Sequence, residues 1–332
     1  MSKLLVTGGA GFIGSNFIHY WLERYPQDSI VNLDKLTYAG HLENLRDIEN
    51  SPRYSFIKGD ITSKDDVEKA IRNVDLVVHF AAESHVDKSI EDPMIFAKTN
   101  VLGTCVLLDA CLRHARKRFH HISTDEVYGE LGIGDPPFNE STPFNSRSPY
   151  AASKAASDLM VKSYYTAYGL PITITNCANN YGSYQDPEKL IPRFITKLLS
   201  NTKVPLMEKG ENIRSWLAVE DHCHAIDIVL KKGKIGETYC IGGEEKTNLE
   251  VTLEILKALG KDQSWIDFVW NRAVNDFRYA LDDSKIRKLG WKPEHDFDHW
   301  LIKTIEWYRD NEWWWKLIIS HSSGSRWPHL AL

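Results

Sequence analysis

Two short stretches hold the residue types best suited to chemistry in this chain: Ile122-Ser123-Thr124-Asp125-Glu126-Val127-Tyr128-Gly129 and Tyr150-Ala151-Ala152-Ser153-Lys154. A Tyr four residues before a Lys on a helix puts phenol and ammonium on one face. The cation favours a phenolate, so a group that ordinarily titrates near pH ~10 is expected to serve as a base close to neutrality. A drop of about three units requires roughly 4 kcal/mol of differential stabilisation, within reach of a buried ammonium and a bound cationic nicotinamide. Thr124 adds a hydroxyl, and the adjacent carboxyls of Asp125 and Glu126 suggest proton chemistry beyond a simple hydride transfer. Taken alone, adjacent acids after a strand would more often cap a turn or face solvent. Their position beside Ser123 and Thr124, with Tyr150 and Lys154 downstream, favours catalysis.

These groups need a scaffold, and the first half of the chain has a regular one. Leu4 to Thr7, Ile30 to Leu33, Ser55 to Ile57, Leu76 to Phe80 and Phe119 to Ile122 read as strands, with helical patterns near 13–24, 64–71 and 94–113. A further helix is expected from Pro149 to about Tyr168, carrying Tyr150 and Lys154, followed by a sixth strand from Ile172 to Asn176. This alternation predicts an α/β fold with a doubly wound parallel sheet. Residues 1–180 are expected to form the sheet domain with the catalytic groups. Residues 181–320, richer in turns, are expected to form a smaller C-terminal α/β lobe that binds substrate, with some segments returning to the first domain. Near the end, Trp307, Tyr308, Trp313, Trp314, Trp315, Ile318 and Ile319 predict a helix that buries its rings against the lobe or a partner subunit. From Ser322 onward no pattern is visible, and the tail reads as loose.

Bulk properties narrow the class. The chain has 332 residues, 26% charged, and a formal net charge of -5 with acids and bases interspersed, which argues against nucleic-acid or membrane-surface binding. Five scattered cysteines without a C-x-x-C spacing fit a reducing, cytoplasmic setting. No long apolar segment reads as a secretion signal or a transmembrane helix.

Gly8, Gly11 and Gly14 follow the first strand and open a helix, with Phe12 and Ile13 between them. In that setting the G-x-x-G-x-x-G run is a variant of the dinucleotide fingerprint of Rossmann-type folds. Gly8 would allow the tight turn, Gly11 close approach to a pyrophosphate, and Gly14 close helix packing, with the helix N-terminus facing the phosphates. Asp34, 20 residues after Gly14, would accept hydrogen bonds from the adenosine ribose and repel a 2'-phosphate, so NAD is expected over NADP, although Lys35 beside it could soften the preference. Asp60 and Ile61 after the third strand, and Ala81, Ala82, Glu83, Ser84 and His85 after the fourth, would lie at the carboxyl ends of the sheet, where such folds bind ligands. Asp60 would address the adenine and residues 81–85 the nicotinamide side.

With these parts assembled, the chain resembles the extended short-chain dehydrogenase/reductase family, and within it the dTDP-glucose 4,6-dehydratases. The resemblance runs from about residue 3 to about residue 310 and rests on 34–40, 81–87, 123–129, 176–182, 188–192 and 236–243. Related epimerases and decarboxylases share the glycine loop and the Tyr/Lys pair, whereas Thr124-Asp125-Glu126 points to the dehydratases. The resemblance implies NAD as cofactor, a nucleotide diphosphate-sugar as substrate, and a product that leads to rhamnose and other deoxysugars. It assigns Tyr150 as base for the sugar O4, Lys154 and Thr124 as its supports, Glu126 as base at C5, and Asp125 as the acid that protonates the departing C6 hydroxyl. It also places Leu36, Thr37, Thr99 and Asn180 by the cofactor. On the substrate side it places His85, Asn179, Lys189, Leu190, Pro205, Met207, Arg214, Asn248, Arg272 and Tyr279. Relatives pair through the two long helices near 94–113 and 150–168, which implies a homodimer. Val101, Cys105, Leu108 and Leu112 form an apolar stripe that either a partner or the chain's own sheet could cover.

The chain departs from the family in the C-terminal lobe. Ser215 and Ala218 replace the Asp and Tyr of the Arg-Asp-Trp-Leu-Tyr-Val run, Met207 stands where an aromatic is common, and Arg272-Ala273-Val274-Asn275-Asp276 replaces Arg-Pro-Gly-His-Asp. These changes fall in the lobe expected to bind the nucleotide-sugar. Asp221-His222-Cys223-His224 resembles a metal cluster, but adjacent residues on a helix diverge, and no metal is expected. The competing readings are a nucleotide-sugar 4-epimerase or decarboxylase, a dehydratase of another nucleotide sugar, and a catalytically silent NAD-binding sensor.

Overall fold

The structure, a computed structural model, describes residues 1–115, 117–270 and 275–322. Strands β1 (Lys3–Thr7), β2 (Ser29–Asp34), β3 (Tyr54–Lys58), β4 (Leu76–His79), β5 (Arg118–Thr124) and β6 (Ile172–Cys177) all lie in one parallel sheet, as the alternation predicts. The order β6-β5-β4-β1-β2-β3 reverses direction between β1 and β4, so the crevice at their carboxyl ends is the place for a ligand. Helices α1 (Phe12–Arg24), α2 (Lys64–Ile71), α3 (Pro93–Arg113) and α4 (Pro149–Tyr168) provide the crossovers.

The sheet is buried on both faces. On one side Leu5, Val31, Val77, Phe119 and Ile172 pack with Val67, Leu107 and Val161 from α2, α3 and α4. On the other, Leu4, Val6, Ile30 and Val78 pack with Phe17 and Ile18 of α1 and with Val219, Cys223 and Ile226. That continuous apolar character suits a parallel sheet covered by helices on both faces.

After residue 177 the sequence pattern gives no strands, yet β7 (Asn179–Tyr181), β8 (Val204–Met207), β9 (Ile213–Ala218), β10 (Thr238–Ile241), β11 (Glu244–Thr247) and β12 (Ile266–Val269) form. They are three to six residues long. β10 joins the main sheet as a seventh strand beside β6, whereas β11-β9-β7 and β12-β8 make two small sheets. Helices α5 (Leu190–Leu199), α6 (Val219–Lys232), α7 (Asn248–Ala258), α8 (Phe297–Asp310) and α9 (Glu312–Ser322) complete this half. Trp314, Trp315 and Ile318 of α9 are buried in one core with Tyr308, Phe297, Ile255 and Ile191. The predicted aromatic helix therefore packs within its own chain. The rest of the tail lies outside the described residues.

One helix, Pro93–Arg113, is long and apolar enough to cross a membrane by length and composition alone, with half of its most apolar stretch buried. Val106, Leu107, Leu108 and Cys111 are core residues, so the helix belongs to the sheet packing. Of the apolar stripe, Leu108 and Leu112 are taken by the chain's own core. Met94 and Leu102 of this helix stay exposed at 73% and 51%.

Candidate active site

Local chain geometry places the catalytic groups. β5 ends at Thr124, whose hydroxyl accepts the Glu126 N–H at 3.3 Å and so caps a short 3-10 turn over Asp125–Tyr128. Gly129 closes that turn at φ 97°, and a Cβ there would lie 2.6 Å from the Asn145 carbonyl. α4 starts with Ser148, whose Oγ accepts the Ala151 N–H at 3.1 Å, and with Pro149 in the first turn. Tyr150 is thereby fixed at the head of the helix and Lys154 one turn later, both buried.

One cleft holds the glycine loop, Asp34, the 81–84 loop, Thr124, Asp125, Glu126, Tyr150 and Lys154. Gly8 adopts φ 72°, and a Cβ would sit 2.5 Å from the Ala81 nitrogen; at Gly14 it would sit 2.3 Å from the Gly8 carbonyl oxygen. Both positions therefore exclude a side chain. The Asp34 carboxylate accepts the N–H of Ala10 at 2.9 Å and of Leu36 at 2.8 Å, which orients it at the strand end. Burial pushes this carboxyl up, and those two N–H groups pull it back. Lys35 pairs with Asp60 at 2.8 Å, so its cation is directed away from Asp34.

Asp125 is 2% exposed, and its Oδ2 has no partner among the described protein atoms. Burial first, and then the Glu126 charge, push its carboxyl up to about 7. Its Oδ1 accepts the Thr124 hydroxyl at 3.2 Å. A carboxyl that shares its proton near neutrality, beside a second carboxyl, is equipped as an acid.

In the protein alone Tyr150 is shifted upward. Burial, and then the negative charge of Glu126, hold its phenol well above the ordinary value. The Lys154 ammonium is engaged with the Ile122 carbonyl at 2.7 Å, and burial lowers Lys154 itself to about 8. A positive charge bound beside the phenol, such as that of the nicotinamide expected from the sequence, would act in the opposite direction.

The remaining expected residues divide by place. Gly11, Phe12, Ile13, Thr37, Asp60, Ile61, Ala81, Ala82, Glu83, Ser84, Thr99, Asn179, Asn180 and Lys189 line the cleft. Leu36 and His85 flank it: His85 precedes the helix Val86–Glu91 and lies 3.5 Å from Glu188. The Arg214 guanidinium stacks 4.6 Å from the Tyr279 ring, and Arg214 and Glu126 respectively influence Asp125 and Tyr279, placing this pair beside the two acids. Leu190 begins α5, Pro205 and Met207 lie on β8, and Asn248 begins α7; none of these four lines the cleft. Arg272 lies outside the described residues.

Several supporting residues escaped sequence reasoning. Asn100, in a π turn of α3, exchanges hydrogen bonds with the Glu83 backbone at 2.8 and 3.0 Å and donates to Ser153 at 2.8 Å, tying the 81–85 loop to α4. Nothing in the sequence signals that turn. Asp158, one turn beyond Lys154, accepts from Ser123 at 2.9 Å and Asn176 at 3.0 Å; its i+4 spacing was a legible signal. His222 bonds to Asn180 Oδ1 at 2.8 Å, while Asp221 meets His295 at 2.8 Å. No group of three or more His, Cys, Asp or Glu among the described residues could hold a metal.

Residues 5–304 match the family model described as GDP-mannose 4,6 dehydratase. A dTDP-glucose 4,6-dehydratase of Mycobacterium tuberculosis is 48% identical over 318 residues, 95% of each chain. The chain belongs to the dTDP-glucose 4,6-dehydratase family. Within this family, the crystal structure of DesIV from Streptomyces venezuelae, with NAD and TYD bound, aligns with a TM-score of 0.92 at 47% identity, covering 95% of this chain and 99% of that one. A Thermus thermophilus UDP-glucose 4-epimerase in complex with NAD shares the architecture at lower identity, 31%, with a TM-score of 0.85 over 92% of this chain and 99% of that one.

Proposed function

We propose that this protein is an NAD-dependent hydro-lyase that converts dTDP-glucose to dTDP-4-keto-6-deoxyglucose and water. The observation that carries the reading is Asp125, a buried carboxyl whose Oδ2 has no partner among the described residues, next to Glu126 and in one cleft with Tyr150 and Lys154. An epimerase or decarboxylase needs the hydride step but not a proton donor and an acceptor beside it.

The cleft fits NAD: glycines that exclude a Cβ at Gly8 and Gly14, and an oriented carboxylate at Asp34. Bound NAD would supply a hydride acceptor for the sugar C4, a hydride donor for C6, and a positive charge beside Tyr150. Tyr150 removes the O4 proton, with Lys154 and Thr124 holding the phenolate and O4. The resulting 4-ketone acidifies the C5 hydrogen, which Glu126 takes as base. Asp125 gives its proton to the C6 hydroxyl, which departs as water. Glu126 then returns a proton to C5. Like charges side by side favour this division, one carboxyl neutral and its neighbour ionised. Arg214, with five N–H donors and a permanent charge, suits the substrate diphosphate, as do Asn179 and Lys189, which line the cleft.

The exposed Met94 and Leu102 of α3 and Leu159 of α4, 57% exposed, support a homodimer through these two helices. Five free cysteines support a reducing cytoplasmic setting, and the product chemistry supports a role ahead of rhamnose or another deoxysugar. Incubation with dTDP-glucose tests the reaction by mass spectrometry. The product is expected lighter by one water, with turnover strongly reduced in Glu126→Gln. An unchanged mass would refute it.

A further inference from the structure

The tryptophan-rich C-terminus lies outside the catalytic cleft, yet it is bonded to the turn that faces the cofactor. Trp314 is fully buried and its indole N–H donates to Asn44 Oδ1 at 2.8 Å. An indole nitrogen can only donate, so the Asn44 amide must turn its oxygen to Trp314 and its NH2 the other way. That NH2 donates to the Ala10 carbonyl at 3.0 Å, which also accepts the His41 N–H at 2.9 Å. Ala10 stands between Gly9 and Gly11, and its own N–H is bonded to Asp34. A continuous line thus runs from α9 through Asn44 to the glycine turn and Asp34.

A second line from the same helices reaches the opposite wall. The Tyr308 hydroxyl donates to the Gln185 carbonyl, and Gln185 Nε2 donates to the Asn180 carbonyl at 2.8 Å. The Tyr184 ring packs edge-on against Trp307 at 4.8 Å and Trp314 at 5.9 Å. His41, edge-on to Trp314, lies 3.7 Å from Asp186 and joins the two walls. Neither Trp314 nor Asn44 lines the cleft.

We infer that Trp314, acting through Asn44, is a positioning residue that fixes the glycine turn and thereby sets how long NAD stays bound. The inference rests on the NAD reading of this cleft and adds a role for a helix with no part in the chemistry. Its physical basis is preorganisation: a turn already held in its binding shape loses less freedom when the ligand arrives.

The test compares NAD release from loaded full-length protein, followed by chase of labelled NAD with excess unlabelled NAD, in Trp314→Phe, Asn44→Ala, the double variant and Trp315→Phe. Phe keeps the ring packing and removes only the N–H. Trp314→Phe is expected to release NAD roughly three- to tenfold faster, the loss of one hydrogen bond, with kcat at saturating NAD unchanged. The double variant should be no faster than Asn44→Ala, because both changes break one line. Trp315 is the control: it is equally buried on the same helix, but its N–H bonds to Tyr308 O at 2.9 Å. Trp315→Phe should lower thermal stability and leave release unchanged. Release within twofold of wild type in Trp314→Phe or, if that variant does not fold, in Asn44→Ala overturns the inference, as does equal acceleration by Trp315→Phe. Wild-type protein that takes up no NAD would overturn it together with the cofactor reading.

Discussion

Turnover should fall at alkaline pH because Asp125 loses its proton, and Asp125→Asn should abolish that dependence. Burial and the Glu126 charge raise this carboxyl from 3.8 to about 7. The shift of about three units corresponds to about 4 kcal/mol in favour of the neutral form. An unperturbed Asp would carry a proton in roughly one molecule in a thousand at pH ~7; here roughly half do, falling to about a tenth at pH ~8 and about a hundredth at pH ~9. The expected profile of kcat therefore declines close to tenfold per unit above neutrality. Asn has the same shape as a neutral Asp but no transferable proton, so kcat should drop by roughly 10²–10⁴, the usual worth of a general acid. What remains should lack the alkaline limb. The assay is kcat for dTDP-glucose between about pH 6 and pH 9 in both proteins. An identical limb in Asp125→Asn, or a loss smaller than about tenfold, would refute the assignment. Stability supplies a second reading of the same proton. Because the folded value lies above the unfolded one, the contribution of Asp125 to stability is complete below about pH 3.8 and is lost as pH rises through about 7. At pH ~8, Asp125→Asn should thus be more stable than wild type, by up to about 4 kcal/mol in urea unfolding.

Two further outcomes follow from the cleft and the exposed helices. Asp34→Ala should weaken NAD binding and shift the NADP-to-NAD affinity ratio by roughly 10- to 100-fold toward NADP, since a charged hydrogen-bonding group is removed; an unmoved ratio in titration calorimetry would show that Asp34 does not discriminate. Leu102→Asp combined with Leu159→Asp should halve the mass measured by light scattering, because a charge would be buried at each side of the paired helices; wild type already running as a monomer would count against the dimer.

The nucleotide-binding half was legible because its signals are local. Gly8, Gly11, Gly14 and Asp34 act through backbone geometry at fixed spacings, and strands of four to seven residues between helices repeat often enough to be seen. Tyr150 and Lys154 were legible for the same reason, both lying on one capped helix. The C-terminal half was harder. β10 has only four residues, and what makes it a strand is pairing with β6, some sixty positions earlier in the chain. Such pairing depends on burial and partners rather than on local preference. Likewise the Trp-rich end announced a buried helix, but nothing in its spacing pointed to Asn44.

Residue order alone determined which chemical groups this protein has and that Asp125, Glu126, Tyr150 and Lys154 could share a site. The tertiary structure shifts the titration of Asp125, Tyr150 and Lys154. Asp125 is raised to about 7 because the fold removes it from water beside Glu126, and burial with the Glu126 charge holds the Tyr150 phenol well above its ordinary value. Identity and spacing are properties of the chain, whereas desolvation and the distance between charges exist only once the chain has folded.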